Sequence, residues 1–135
     1  MSMNIESVRT YCLSLPHATE DMQWECLLFR VAGKIFALVP FEADGAVISL
    51  KSTQQQAAEL LEREGILRAP YLGRYHWIAL ETWEALSDRE LRELIAESHR
   101  LVFAGLPARV RKQLEGRKIV KRAAPGQGKA ATRTR

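Results

Sequence analysis

The chain has 135 residues, 47% of them hydrophobic and 27% charged, with a formal net charge of +4, as in an ordinary soluble globular protein of one domain. No stretch approaches the roughly 20 apolar residues that span a bilayer, and "MSMNIESVRTYC" has no basic segment leading into an apolar run, so neither a membrane partner nor a signal peptide is expected and the expected location is cytoplasmic. The two cysteines, Cys12 and Cys26, form no C-x-x-C pair and are read as small hydrophobes rather than redox or metal groups.

The net charge hides a division. From Met1 to Ala108 there are 10 Lys+Arg and 15 Asp+Glu, a balance of −5. From Arg109 to Arg135 there are 10 Lys+Arg and the single acid Glu115, a balance of +9.

In chain order, Asn4 is a good N-cap, and Ile5, Val8, Cys12 and Leu15 recur at helical spacing until Pro16, which predicts a short first helix. "HATEDMQW" reads as a polar connector. "ECLLFRV" and "KIFALV", joined by Ala32-Gly33, predict two strands in a tight hairpin. "AVISL" predicts a third strand, completing a meander. "STQQQAAELLEREG" predicts a helix with a Ser52/Gln55 capping box and a stop at Gly65. "HWIAL" predicts a fourth strand. "LSDRELRELIAESHRLVFAG" predicts a long helix capped by Ser87 and Glu90. It carries Leu91, Leu94, Ile95, Leu101 and Val102 on one stripe, Ser98 among them, and closes at Gly105. "LPARVRKQL" starts a short basic helix with Pro107 in its first turn. From Gly116 the chain has little to bury and reads as a disordered basic tail. The expected organisation is a folded domain over 1–115 and a tail over 116–135. The expected fold class is α+β, a compact two-layer sandwich of an antiparallel sheet with helices packed on one face.

"NIESVRTYCLSLP" with the following "E" and "W", then "FRVAGKIFALV", "SLKS" before a helix, "RAPYLGRYHWIAL" and "LIAESHRLV" together resemble the MmcQ/YjbR family. The resemblance runs from about Asn4 to Phe103. It implies a frataxin/CyaY-like α/β fold of a bacterial type, and DNA binding through a "double wing" motif. Family members often read "APYLNKKHW" where this chain has Gly73, Arg74 and Tyr75, so one basic residue is lost here.

No enzyme motif is present: there is no G-x-S-x-G, no phosphate-binding G-x-x-x-x-G-K-[ST] and no H-E-x-x-H. His17, His76 and His99 are not within helical or hairpin reach of one another. Frataxin-type iron binding wants a run of carboxylates along the first helix, which offers only Glu6. No cofactor and no metal is therefore expected, and the protein is read as a non-enzymatic monomer.

Binding candidates remain. Arg30 and Lys34 flank the tight turn, where a wing would lie along a nucleic-acid backbone. In "PYLGRYHW", Tyr71 and Tyr75 offer stacking faces and Arg74 a guanidinium for phosphate. A loop with its tyrosines over the sheet edge accounts for the same residues. His76 is read as anchoring the loop by a hydrogen bond, and Trp77 as a core residue. Arg109, Arg111, Lys112, Arg117, Lys118, Lys121 and Arg122 make the C-terminal stretch attractive to phosphates in a salt-dependent, largely sequence-independent way. A tail that merely aids solubility fits the same charges. The first expectation is DNA binding. The alternative is a protein-interaction or small-ligand module, which the acidic body favours.

Overall fold

A computed structural model describes residues 3–42, 45–69 and 76–123, with side chains through Gly116. Met1–Gly105 and Leu106–Arg135 form two compact units. Among the described residues, the first contains six antiparallel strands in the order β1-β2-β3-β4-β6-β5, and three α-helices.

Helix α1 spans Ile5–Ser14. Asn4 and Ser7 form a reciprocal capping box, in which Asn4 Oδ1 accepts from the Ser7 amide at 2.9 Å and Ser7 Oγ accepts from the Asn4 amide at 2.9 Å. Val8 and Cys12 are buried, and the helix stops ahead of Pro16, whose ring cannot continue it.

Strand β1 covers Ala18–Gln23, the stretch expected to be a connector. It is an edge strand, paired only with β2 (Cys26–Val31). A half-solvated edge strand needs no apolar alternation. Its acids are held instead by ion pairs, Glu20 with Arg9 of α1 and Asp21, through Oδ2, with Arg30 of β2, while the buried Asp21 Oδ1 has no hydrogen-bond partner among the described residues. The β1–β2 turn is Trp24-Glu25, with φ of 54° and 59°. Two successive left-handed residues belong to a mirror-image turn that normally uses Asn and Gly. An L residue pays about 1–2 kcal/mol in that region.

The β2–β3 turn is Ala32-Gly33, with φ of 52° and 81°, as the hairpin reading expected. β3 spans Lys34–Pro40, and its register with β2 shifts by a bulge at Phe29/Arg30. β4 (Ile48–Lys51) pairs with β3 and with β6 (Trp77–Leu80). β5 (Ile66–Arg68) closes the far edge on β6. Only three residues long, it carries no readable alternation.

Helix α2 spans Gln54–Leu60 and is shorter than predicted. Its cap is Thr53, whose side chain accepts from the Gln56 amide at 3.0 Å. The Ser52/Gln55 box is not formed, because Ser52 is committed to the sheet. Its amide and its hydroxyl both donate to the His76 carbonyl, at 3.1 and 2.6 Å. After Leu60 the chain passes through tight turns to Gly65, at φ 89°.

Helix α3 (Asp88–Ala104) has the predicted Ser87/Glu90 capping box and buries Leu91, Ile95, Ser98, His99 and Val102. It lies over β2, β3 and β4, and α1 packs on β1 and on α3. Phe29, Phe36, Ile78, Leu91 and Ile95 are fully buried, each worth about 1.5–3 kcal/mol relative to exposure. His99 anchors the join of α1 and β1: its Nε2 lies 2.8 Å from the Pro16 carbonyl, and its ring meets the edge of Phe36. A second, smaller core gathers Ala46, Ala69, Trp77 and Ala79, with Ile35 against it.

In the second unit, helix α4 spans Ala108–Ala123. It continues through Gly116, where the sequence suggested the start of a disordered tail.

Candidate functional site

The basic candidates fall into two groups. In the first unit, Arg30 leaves β2 beside the Ala32-Gly33 turn and folds back over it. Its Nε donates to Asp21 Oδ2 at 3.1 Å and its Nη1 to the Gly33 carbonyl at 3.0 Å. The side chain keeps 20% of its exposure, so a phosphate would have to displace both partners. Lys34, at the start of β3, is exposed and has no ion-pair partner among the described residues.

His76 precedes β6 with φ 67°. Its carbonyl takes both Ser52 hydrogen bonds while its side chain is exposed. This anchoring uses the backbone carbonyl and not the imidazole, the group on which the reading of His76 rested. Tyr71, Arg74 and Tyr75 lie outside the described residues. Trp77 is 7% exposed in the smaller core, which settles its role as packing. Strand β4 lies between β3 and β6 in the sheet, and the registers carry Ile35, next to Lys34, into the row of Ser52 and His76, so Lys34 and His76 lie at the same end of the sheet, two strands apart.

The second group is on α4. Arg109 and Lys112 are exposed. Arg111 is half-buried, its Nε donating to the Leu106 carbonyl at 3.1 Å. Arg117, Lys118, Lys121 and Arg122 follow on the second half of the helix. The helix thus strings seven basic residues along one element against the single acid Glu115.

The first unit offers the opposite electrostatics. Arg9, Arg30, Arg63, Arg89 and Arg100 are all paired with carboxylates. Arg63 holds the Glu90 carboxyl down at about 2, helped by the Ser87 amide. That pair borders a cleft of about 300 Å³ between α2 and α3, lined by Gln56, Leu60, Leu86, Leu94, Glu93 and Glu97. Its acidic rim repels phosphate.

Neither thiol is activated. Cys12 is fully buried, and burial pushes its thiol up to about 12. Cys26 is half-buried, raised by burial and then by Glu25, and donates to the Trp24 carbonyl at 3.4 Å. Among the described residues no three His, Cys, Asp or Glu side chains gather to hold a metal, and no helix is long and apolar enough to cross a membrane.

One surface feature escaped the sequence reading. Met22 and Trp24 are 69% and 71% exposed, and Phe41 is 47% exposed. The Phe41 amide donates to the Glu25 carbonyl at 3.0 Å, which brings Phe41 beside the turn that carries Trp24. In the sequence Trp24 served only as part of the family pattern, within a polar stretch read as a connector.

Six antiparallel strands with α1, α2 and α3 define a small α+β sheet protein. The YjbR family model matches residues 13–101, and the chain belongs to the YjbR family. It is 31% identical over 116 residues to the uncharacterized protein YbdF of Escherichia coli O157:H7, covering 81% of this chain and 92% of that one. Among solved structures it is similar to Deinococcus radiodurans protein DR2400, described by its DUF419 domain. The TM-score is 0.75 at 25% identity, covering 84% of this chain and 89% of that one. A protein from Pseudomonas syringae aligns with a TM-score of 0.62 at 25% identity, covering 74% and 99%.

Proposed function

We propose that this YjbR-family protein is a non-enzymatic, nucleic-acid-associated protein whose phosphate-binding element is helix α4. The observation that carries the reading is the helix itself: seven basic residues and one carboxylate on a continuous element over Ala108–Ala123. Ordering cations on a helix spares part of the entropy that a disordered tail would lose on binding. Attraction to the DNA backbone follows from counterion release and carries no base preference. The Ala32-Gly33 hairpin contributes little, because Arg30 is held by Asp21 and Gly33 and only Lys34 is left to offer charge.

The test is titration of labelled duplex DNA at two salt concentrations with the full chain, with a variant carrying Gln at 117, 118, 121 and 122, and with Arg30→Gln. Binding that weakens steeply with salt, is lost in the first variant and survives in the second is the expected result. An absence of binding at low salt ends the reading.

A further inference from the structure

Trp24 sits where nothing in the fold asks for tryptophan. It occupies the first left-handed position of the β1–β2 turn, at φ 54°, followed by Glu25 at φ 59°. Asparagine or glycine would hold that backbone with less strain. The indole is 71% exposed, so burial does not repay the strain. Met22 precedes it, 69% exposed, and Phe41 lies beside the turn, 47% exposed. An apolar patch centred on strained backbone is the kind of place where a binding role keeps a costly residue.

Charge selects the partner. Glu25 and Glu42 are both exposed at this patch, and neither has an ion-pair partner among the described residues. The unit that carries it has a balance of −5. Phosphate chains and a second acidic unit are repelled, whereas lysine and arginine are attracted and can lie on aromatic faces. From this we infer that the β1–β2 turn, with Met22, Trp24 and Phe41 as anchors and Glu25 and Glu42 as rim, is a docking surface for a basic protein segment carrying apolar side chains. This goes beyond the nucleic-acid reading and stands on a different part of the chain.

The test uses random dodecapeptides displayed on phage, selected on the full chain and then on Trp24→Asn. Selected peptides should be rich in Lys or Arg next to aliphatic or aromatic residues. A synthetic copy of one should shift the Trp24 indole signal in NMR spectra and bind Trp24→Asn about tenfold more weakly or worse, the loss typical of a central aromatic anchor. The same variant should melt no lower than the parent, because asparagine suits the turn and the ring is exposed. Failure to select basic peptides, or equal binding to Trp24→Asn, overturns the proposal. So does a lower melting temperature of that variant, which would make the ring structural. A concentration-dependent dimer dissolved by Trp24→Asn would give the surface to a second copy. A single-stranded oligonucleotide shifting the same indole would give it to nucleic acid. Either result also overturns the proposal, and neither bears on binding through α4.

Discussion

Phe36 and Lys51 end the β3–β4 ladder through a third residue. The register Ala37 to Leu50 and Leu38 to Ser49 would next bring Phe36 opposite Lys51. There the Ser98 hydroxyl donates to the Phe36 carbonyl at 2.6 Å and accepts from the Lys51 amide at 2.9 Å. A fully buried side chain of α3 thus completes a rung of the sheet and fixes where the helix crosses it.

Ser98→Ala should therefore destabilise the protein by about 1–3 kcal/mol, since it strands a buried carbonyl and an amide. Denaturant unfolding measures the loss. Hydrogen exchange should show the Lys51 amide losing protection, with the neighbouring Leu50 amide less affected. An unchanged Lys51 rate would show that the strands close on each other without the hydroxyl.

The cap of α2 is a second test. Thr53→Ala removes the acceptor of the Gln56 amide and should cost about 0.5–2 kcal/mol. Gln55→Ala should be close to neutral, since Gln55 is exposed and takes no part in the cap. Thermal melts of the two variants rank them. The reverse order would restore the capping box predicted from Ser52 and Gln55.

Acid should release the Arg63–Glu90 bridge. Its side chains are 44% and 40% exposed, so solvent screens the pair and its contribution is small. The folded-state carboxyl lies at about 2, below the ordinary 4.5. A depressed carboxylate stabilises the fold above its unfolded value, and that contribution is lost as pH falls through its folded value. The melting-temperature gap between the parent and Glu90→Gln should stay constant above about 4.5 and shrink from there towards 2. Added salt should narrow it too.

Thiol labelling should separate the two cysteines. Cys26, half-buried and less strongly raised, should react first in the native protein. Cys12, fully buried with its thiol at about 12, should react only at the rate of unfolding. Mass spectrometry of a timed reaction with iodoacetamide, with and without denaturant, reads both. Equal native rates would contradict the packing of α1.

How much was legible in the sequence followed from where each residue's partners lie. The caps at Asn4 and Ser87 are local, made within a few residues, and both were readable. Central strands such as "ECLLFRV" and "KIFALV" announce burial by composition. Strand β1 did not, because Glu20 and Asp21 pair with Arg9 and Arg30, partners no short window contains. Ser52 misled for the same reason: its partner, His76, is far along the chain. The wing reading of Arg30 treated spacing as exposure, while the cross-strand partner that occupies it became visible only in the register. Trp24 was read only as part of the family pattern, because left-handed backbone at a non-glycine residue leaves no trace in composition.

The two Ser52 bonds to His76 have a counterpart one step away, where the Ala69 amide donates to the Trp77 carbonyl at 3.1 Å. Together they tie off the base of the β5–β6 connection inside the sheet, with Ala69 and Trp77 both buried in the smaller core. Ala69 and His76 are therefore members of the sheet's hydrogen-bonded frame, and the Ser52 and Ala69 amides belong to the same cooperative unit as the β4–β6 ladder.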